Sequence, residues 1–407
     1  MRLKRLEIRN YKSLRDVVIE PTPLTVLVGP NASGKSNFAD ALDFLSEVYR
    51  SDLEGAVARK GGYENICFRQ ARRSRAPIGF RVVVEIDWEQ DWTDKYQRRL
   101  PLIVDHSFDL RARSTGIGAS FFISREELSI KPAADLIPAL HVLRNLDDLC
   151  VDGEASPVWE PYSRRRKNLK EALLRNVSSR SELMIPFFRS VFTWMALAAR
   201  QISSLRLFQL SPRHCREAGV QVPNPELDRS GGNLPAVIDF LKKHHSGEYG
   251  QLLAAAQRIM PSLETLETAY THTKRLGLFL REAGFKRPWA SEDISDGTIQ
   301  AIALLAATFD PRNEILVIEE PENSVHPWAI RAFVEAFRRA STKKQIILTT
   351  HSPILIDQIR PEELWVAQRP GAETLIEPLL SLDPSLKEAW GEGKFTLSEY
   401  LDSVNFP

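Results

Sequence analysis

The sequence predicts an α/β fold built on a parallel sheet, and two stretches carry that expectation. The first is Gly29-Pro30-Asn31-Ala32-Ser33-Gly34-Lys35-Ser36, which follows the apolar run Leu24-Thr25-Val26-Leu27-Val28 and precedes a segment whose apolar positions 38, 41, 42 and 45 fall at helical spacing. The second is Ile315-Leu316-Val317-Ile318-Glu319-Glu320-Pro321, four consecutive apolar residues ending in two carboxylates. A buried strand that ends in polar residues at a ligand-binding edge is the habit of parallel sheets.

Strands are expected at 3–8, 17–19, 24–28 and 79–86, which makes residues 1–90 one lobe of a nucleotide-binding unit. Residues 91–285 read as a mostly helical insertion, because helical patterns there alternate with loops bearing Pro157, Pro161, Pro186, Pro212, Pro223 and Pro225. The β/α rhythm returns over 286–407, with helices expected at 298–308 and 328–339 and strands at 314–318 and 345–349. The chain is thus expected to leave one domain and re-enter it.

Composition bounds the partners. Lys and Arg number 54 against 53 Asp and Glu, a formal net charge of +1, so any attraction to nucleic acid or membrane must be local. Cys67, Cys150 and Cys215 are far apart with no C-x-x-C pair, which fits a reducing cytoplasm and argues against a zinc knuckle or disulfide framework. The N-terminus alternates charged and apolar residues as a strand does, and the most apolar stretch, 187–199, is too short to span a bilayer and contains Arg189. The densest basic run, Arg164-Arg165-Arg166-Lys167, reads first as a solvated helix start or loop and second as a nucleic-acid contact.

The chemistry follows from residue type and spacing. Gly29 to Ser36 fits G-x-x-x-x-G-K-[ST], a P-loop, in which the backbone of Gly29, Pro30, Asn31, Ala32, Ser33 and Gly34 wraps phosphate oxygens at a helix N-terminus that Asn37 continues. Lys35 reaches the β- and γ-phosphates of ATP and the Ser36 hydroxyl ligates Mg²⁺. Strand pleating sends neighbouring side chains to opposite sides, so Glu319 is assigned to the Mg²⁺ shell and Glu320 to the attacking water as catalytic base. His351, in Thr349-Thr350-His351-Ser352-Pro353 at a strand end, is placed as a γ-phosphate sensor. Asp293-Ile294-Ser295-Asp296-Gly297-Thr298 opens a very apolar helix. Taken alone it is an ordinary N-cap; the alternative is an anion site made by Ser295, Gly297 and free amides.

Together these elements resemble the ABC-type ATPases of the RecF/SMC/OLD group, most closely its stand-alone ATPases of AAA-type description. The opening Leu6-Glu7-Ile8-Arg9-Asn10-Tyr11-Lys12-Ser13-Leu14 and the order P-loop, insertion, signature, acidic strand end, Asn323-Ser324-Val325-His326-Pro327, histidine carry the resemblance over 1–90 and 286–407. Glu226-Leu227-Asp228-Arg229-Ser230-Gly231-Gly232-Asn233-Leu234-Pro235-Ala236-Val237 also looks like a stretch these proteins carry between their lobes. Two departures stand out: Ser295-Asp296-Gly297-Thr298 replaces Ser-Gly-Gly-Gln, and Glu319 replaces Asp, one methylene longer, which fits slow turnover.

The resemblance implies an ABC-type head that closes on ATP as a homodimer or larger even oligomer, with Ser295 acting on the nucleotide of the partner copy. It implies a Mg²⁺-sensing glutamine, for which Gln70 is the nearest candidate. The segment after His351 is too short for the Toprim nuclease domain of OLD-type proteins, and the insertion lacks long heptads or a cysteine hook. The expected role is therefore sensor or scaffold for a separately encoded effector such as a nuclease in bacterial anti-phage defence. The alternative is a RecF-like DNA repair factor, with DNA held by Arg72, Arg73, Arg75, Arg98, Arg99 and the 164–167 run. A transporter ATPase fits neither the signature nor the insertion.

Overall fold

The computed structural model describes residues 2–68, 76–89, 99–113, 120–133, 140–146, 148–152, 182–188 and 193–404. Its strands are β1 (Arg2–Tyr11), β2 (Leu14–Ile19), β3 (Leu24–Val28), β4 (Ile78–Glu89), β5 (Arg99–Ala112), β6 (Phe121–Pro132), β7 (Leu140–Asn145), β8 (Asp148–Asp152), β9 (Leu205–Phe208), β10 (Leu263–Tyr270), β11 (Leu276–Glu282), β12 (Trp289–Ala290), β13 (Ile315–Glu319), β14 (Gln345–Thr350), β15 (Leu364–Gln368) and β16 (Leu375–Pro378). The chain forms two compact units. Unit 1 comprises 1–21, 40–204 and 368–376; unit 2 comprises 22–39, 205–367 and 377–407. No helix among the described residues is long and apolar enough to cross a membrane.

Unit 1 holds a seven-stranded antiparallel sheet in the order β2-β1-β4-β5-β6-β7-β8. β5, β6, β7 and β8 therefore stand where helical patterns were expected, and they correct the mostly helical reading of that part of the insertion. The physical reason is visible in β5: Leu102, Val104, His106, Phe108 and Leu110 point inward while the residues between them are half-buried. That is a period of two, but His106, Glu126 and Arg144 occupy inward positions on β5, β6 and β7 and break the apolar alternation that would announce a sheet.

Those three residues form a buried chain with Tyr49. The Tyr49 hydroxyl meets His106 Nδ1, His106 Nε2 lies 2.8 Å from Glu126 Oε1, and Arg144 pairs with Glu126 Oε2. The amide of Met184 donates to Glu126 Oε1 at 2.6 Å. Burial alone would raise the Glu126 carboxyl, but the Arg144 charge and the His106 bond hold it below the ordinary carboxylate value. Burial also pushes the Tyr49 hydroxyl well up, so it stays protonated.

Unit 2 is organised by a parallel sheet in which β15, β3, β14, β13 and β9 lie side by side. Parallel pairing puts the C-terminal ends of all five strands at one edge, so the residues following each strand gather there. Helix α1 (Lys35–Arg50) starts from that edge, its first residues in unit 2. Helices α2 (Leu234–His244) and α3 (Ser246–Ile259) pack with α4 (Asp296–Phe309) and α5 (Pro327–Ser341) in one apolar core with the sheet. Every residue of α4 from Ile299 to Phe309 is buried, which is why its sequence is apolar all round. A small antiparallel sheet, β10-β11-β12, adds Leu266, Leu278 and Leu280 to the same core.

Lys344 is half-buried just before β14, and its ammonium donates to the Asp310 carbonyl at 2.6 Å. Burial lowers its pKa to about 8, against the weaker pull of Asp310 and Glu248 in the other direction. Because the folded value lies below the unfolded one, the unfolded chain keeps a proton that the folded chain has released as pH rises above 8, and stability rises with it. Between pH 8 and 10.5 the wild type should gain up to about 3 kcal/mol relative to Lys344→Met. Urea unfolding of both proteins across that range measures the difference; a pH-independent gap would contradict it.

Candidate functional site

The site is built at the C-terminal edge of the parallel sheet. β3 runs straight into the glycine loop, and β14, its neighbour, ends beside it with Thr350 opposite Val28. Gly29 adopts φ +154, and a Cβ there would collide with the Ala367 carbonyl on β15, so the strand can turn into the loop only with glycine. Ala32 has φ +64 and Gly34 φ +104, and Ser33 N donates to Pro30 O at 3.2 Å. The helix begins at Lys35, and Phe38 N closes its first turn on Gly34 O at 3.0 Å.

Lys35 is almost fully buried, and its Nζ donates to the carbonyls of Gly29 and Pro30 at 2.7 and 2.9 Å. Burial lowers its pKa, and the charges of Glu320 and Glu322 work against that shift. The lysine thus folds back over its own loop, with two carboxylates near enough to favour its charge.

β13 lies between β14 and β9, with Glu319 opposite Thr349. Glu319 is buried and pairs with Arg229 at 3.6 Å. Glu320 leaves the strand with φ +46 while its amide donates to the Thr349 carbonyl at 2.9 Å. This left-handed turn separates the two acids. The Glu320 carboxylate accepts from Asn323 Nδ2 at 2.8 Å and lies 3.3 Å from His351 Nδ1.

Glu322 belongs to this cluster and was not expected from the sequence. Its Oε1 accepts from Thr350 Oγ1 at 2.6 Å and from the His351 amide at 3.3 Å, and its side chain is 8% exposed. His351 Nδ1 thus faces the carboxylates of Glu320 and Glu322. The signal available was the third acid of Glu319-Glu320-Pro321-Glu322, easily taken for a solvated turn.

Gln209 is a second residue the sequence reading missed. It follows β9, the strand paired with β13, and so stands at the same edge. Its amide donates to the Arg229 carbonyl at 2.9 Å and its side-chain oxygen accepts from Arg229 at 3.4 Å. A four-residue strand before it offers almost no periodicity to read. Gln70 lies outside the described residues, as do Arg72, Arg73, Arg75, Arg98 and the 164–167 run.

Ser295 caps α4 in the ordinary way: its Oγ accepts from Thr298 N at 3.2 Å and donates to Thr298 Oγ1 at 2.9 Å. Gly297 is forced by close approach, because a Cβ there would lie 2.6 Å from the Ser324 carbonyl. The first turn of α4 therefore rests against the residue next to Asn323, which itself bonds Glu320. Gly297→Ala should push this turn apart, costing about 1–3 kcal/mol of stability by overpacking. Thermal unfolding of the variant checks it, and a melting point equal to wild type would show that the turn yields freely.

A magnesium ion fits the donors present. Among the described residues no group of three His, Cys, Asp or Glu could hold a metal by itself. A buried carboxylate with a hydroxyl at a helix start is instead what suits a cation that takes few protein ligands and completes its shell with phosphate oxygens and water.

Comparison with known proteins agrees with this geometry. The family model described as "AAA domain, putative AbiEii toxin, Type IV TA system" matches residues 159–357, and the model described as "AAA ATPase domain" matches residues 1–111. An OLD nuclease of Thermus scotoductus is 42% identical over 391 residues, covering 90% of this chain and 62% of that protein. The DNA replication and repair protein RecF of a Cyanothece species is 33% identical over 81 residues, 19% of this chain and 22% of that one. The chain thus spans less than two thirds of the length of either relative. In fold it is similar to the SMC head solved with the C-terminal winged-helix domain of ScpA, with TM-score 0.55 at 12% identity, over 95% of this chain and 100% of that one. With its P-loop and acidic strand end following two strands, β3 and β13, that flank β14 in one parallel sheet, the chain carries AAA-type ATPase domains and is similar to the ABC-type P-loop ATPases of the RecF/SMC/OLD group.

Proposed function

We propose that the chain binds and hydrolyses ATP, dimerises on the nucleotide, and acts as sensor and scaffold for an effector of nuclease type in bacterial anti-phage defence. The observation that carries the hydrolytic part is the convergence of Lys35, Glu320, Glu322 and His351 at one strand edge. Lys35 exchanges its bonds to Gly29 and Pro30 for the β- and γ-phosphates, which lie against the amides of the loop and of Ser36 and Asn37. Glu320, held by Asn323 and beside His351, takes the proton of the attacking water. His351 lies against the γ-phosphate, its Nδ1 side directed to the two carboxylates. Mg²⁺, held by Ser36 and Glu319 with Gln209 nearby, would offset charge on the transferring phosphoryl group.

Dimerisation would give the exposed Ser295 turn a second use, contacting the nucleotide of the other copy through its hydroxyl and the Gly297 amide. The 42% identity to a protein named as a nuclease and longer than the matched region supports an effector of that class. The shorter match to RecF supports the alternative, an ATP-dependent DNA-binding factor. Light-scattering mass with Mg²⁺ alone and with Mg²⁺ plus ATP tests the switch: the mass should double with ATP and not when Lys35 is replaced by Ala. A nucleotide-indifferent monomer would refute it. Duplex binding that requires ATP and weakens steeply with salt would favour the DNA-binding reading.

A further inference from the structure

The stretch 226–237 has no part in the hydrolytic steps, yet unit 2 builds it as a rigid platform for one side chain. Asp228 Oδ1 accepts from Ser230 N at 3.1 Å, Ser230 Oγ at 3.0 Å and Gly232 N at 2.8 Å. The turn is then fastened to the segment after β9, with Gln209 N donating to Arg229 O and Ser211 N to Ser230 O, both at 2.9 Å. Arg229 projects from this turn to the Glu319 carboxylate, with Gln209 Oε1 as a further acceptor. Its backbone is fixed while its side chain is 44% exposed, against 5% for that of Glu319.

We infer that Arg229 is the resident counter-cation of Glu319 and makes loading of a divalent cation conditional on nucleotide. This rests on the reading of Glu319 as the cation's carboxylate. A buried carboxylate needs a positive partner, and the guanidinium supplies one while the nucleotide is absent. A bare divalent ion would have to displace it for the sake of one carboxylate and one hydroxyl. Nucleotide changes both sides of that exchange, since its phosphate oxygens add ligands for the ion and offer the exposed guanidinium an anion that suits its planar fork. Cation and nucleotide are thereby coupled, and the coupling is reciprocal.

The test is Mn²⁺ binding, read from the loss of free-ion signal in electron paramagnetic resonance, with and without a non-hydrolysable ATP analogue. Arg229→Gln should bind Mn²⁺ alone about fivefold more tightly than wild type, the order of one partly exposed ion pair, and its nucleotide coupling should fall by the same factor. Arg229→Lys, which keeps the charge, should stay near wild type. Because the loop is fastened through the Arg229 carbonyl and Asp228, neither change removes its supports. Glu319→Gln is the control arm and should abolish tight Mn²⁺ binding with nucleotide. If Glu319→Gln loses Mn²⁺ while Arg229→Gln matches wild type in affinity and coupling, the inference is overturned and the reading of Glu319 stands. If Glu319→Gln binds Mn²⁺ as wild type does, that reading falls and the inference with it.

Discussion

Glu320→Gln should retain ATP affinity within about twofold while turnover falls by a hundredfold or more, the usual range for loss of a general base. The amide has the shape of the carboxylate, and its oxygen can still accept the bond from Asn323 Nδ2 that the structure places at 2.8 Å. It cannot take a proton from water. Since the contacts of Lys35 and the glycine loop are untouched, binding survives and hydrolysis does not, so ATP-held dimers should accumulate. Steady-state turnover, fluorescent-nucleotide affinity and light-scattering mass on the same preparation separate these effects. Unchanged turnover would remove the role from Glu320 and pass it to Glu322, the other carboxylate facing His351 Nδ1.

The largest expected effect on stability lies in unit 1. Glu126→Ala should cost about 3–5 kcal/mol, the range for breaking a buried ion pair from one side. The substitution leaves the Arg144 guanidinium with the Glu182 carbonyl at 2.9 Å but without its buried counter-charge, and strips acceptors from His106 Nε2 and the Met184 amide. Glu126→Gln keeps an acceptor and should cost less, which separates the charge from the hydrogen bonds. Urea unfolding followed by the far-ultraviolet sheet signal measures both, and a loss below about 1 kcal/mol for the alanine variant would mean that water takes the place of the carboxylate.

The ATPase core was legible because its elements carry local chemistry. Gly29 to Ser36 is readable since only glycine turns under the Ala367 carbonyl and the long stem of a lysine at the helix start lets its ammonium reach back over the loop. β13 and β14 were readable from the continuous apolar stretches Ile315-Leu316-Val317-Ile318 and Ile346-Ile347-Leu348, buried on both faces. The expected helices and strands of residues 286–350 agree with the structure to within a few residues. The sheet of residues 99–152 was hidden for the converse reason: the polar residues fastening its interior occupy the positions that an apolar alternation needs.

By itself the sequence determined where a glycine loop follows a buried strand, which strand ends in carboxylates, and hence an α/β core of nucleotide-binding type. Those properties depend on neighbours a few positions apart. Only the tertiary structure decided that Glu322 rather than solvent holds the His351 turn, that Gln209 stands at the site, and that Arg229 is aimed at Glu319. These partners are separated in sequence by tens of residues and meet because parallel pairing of β9, β13 and β14 brings every C-terminal strand end to a single edge.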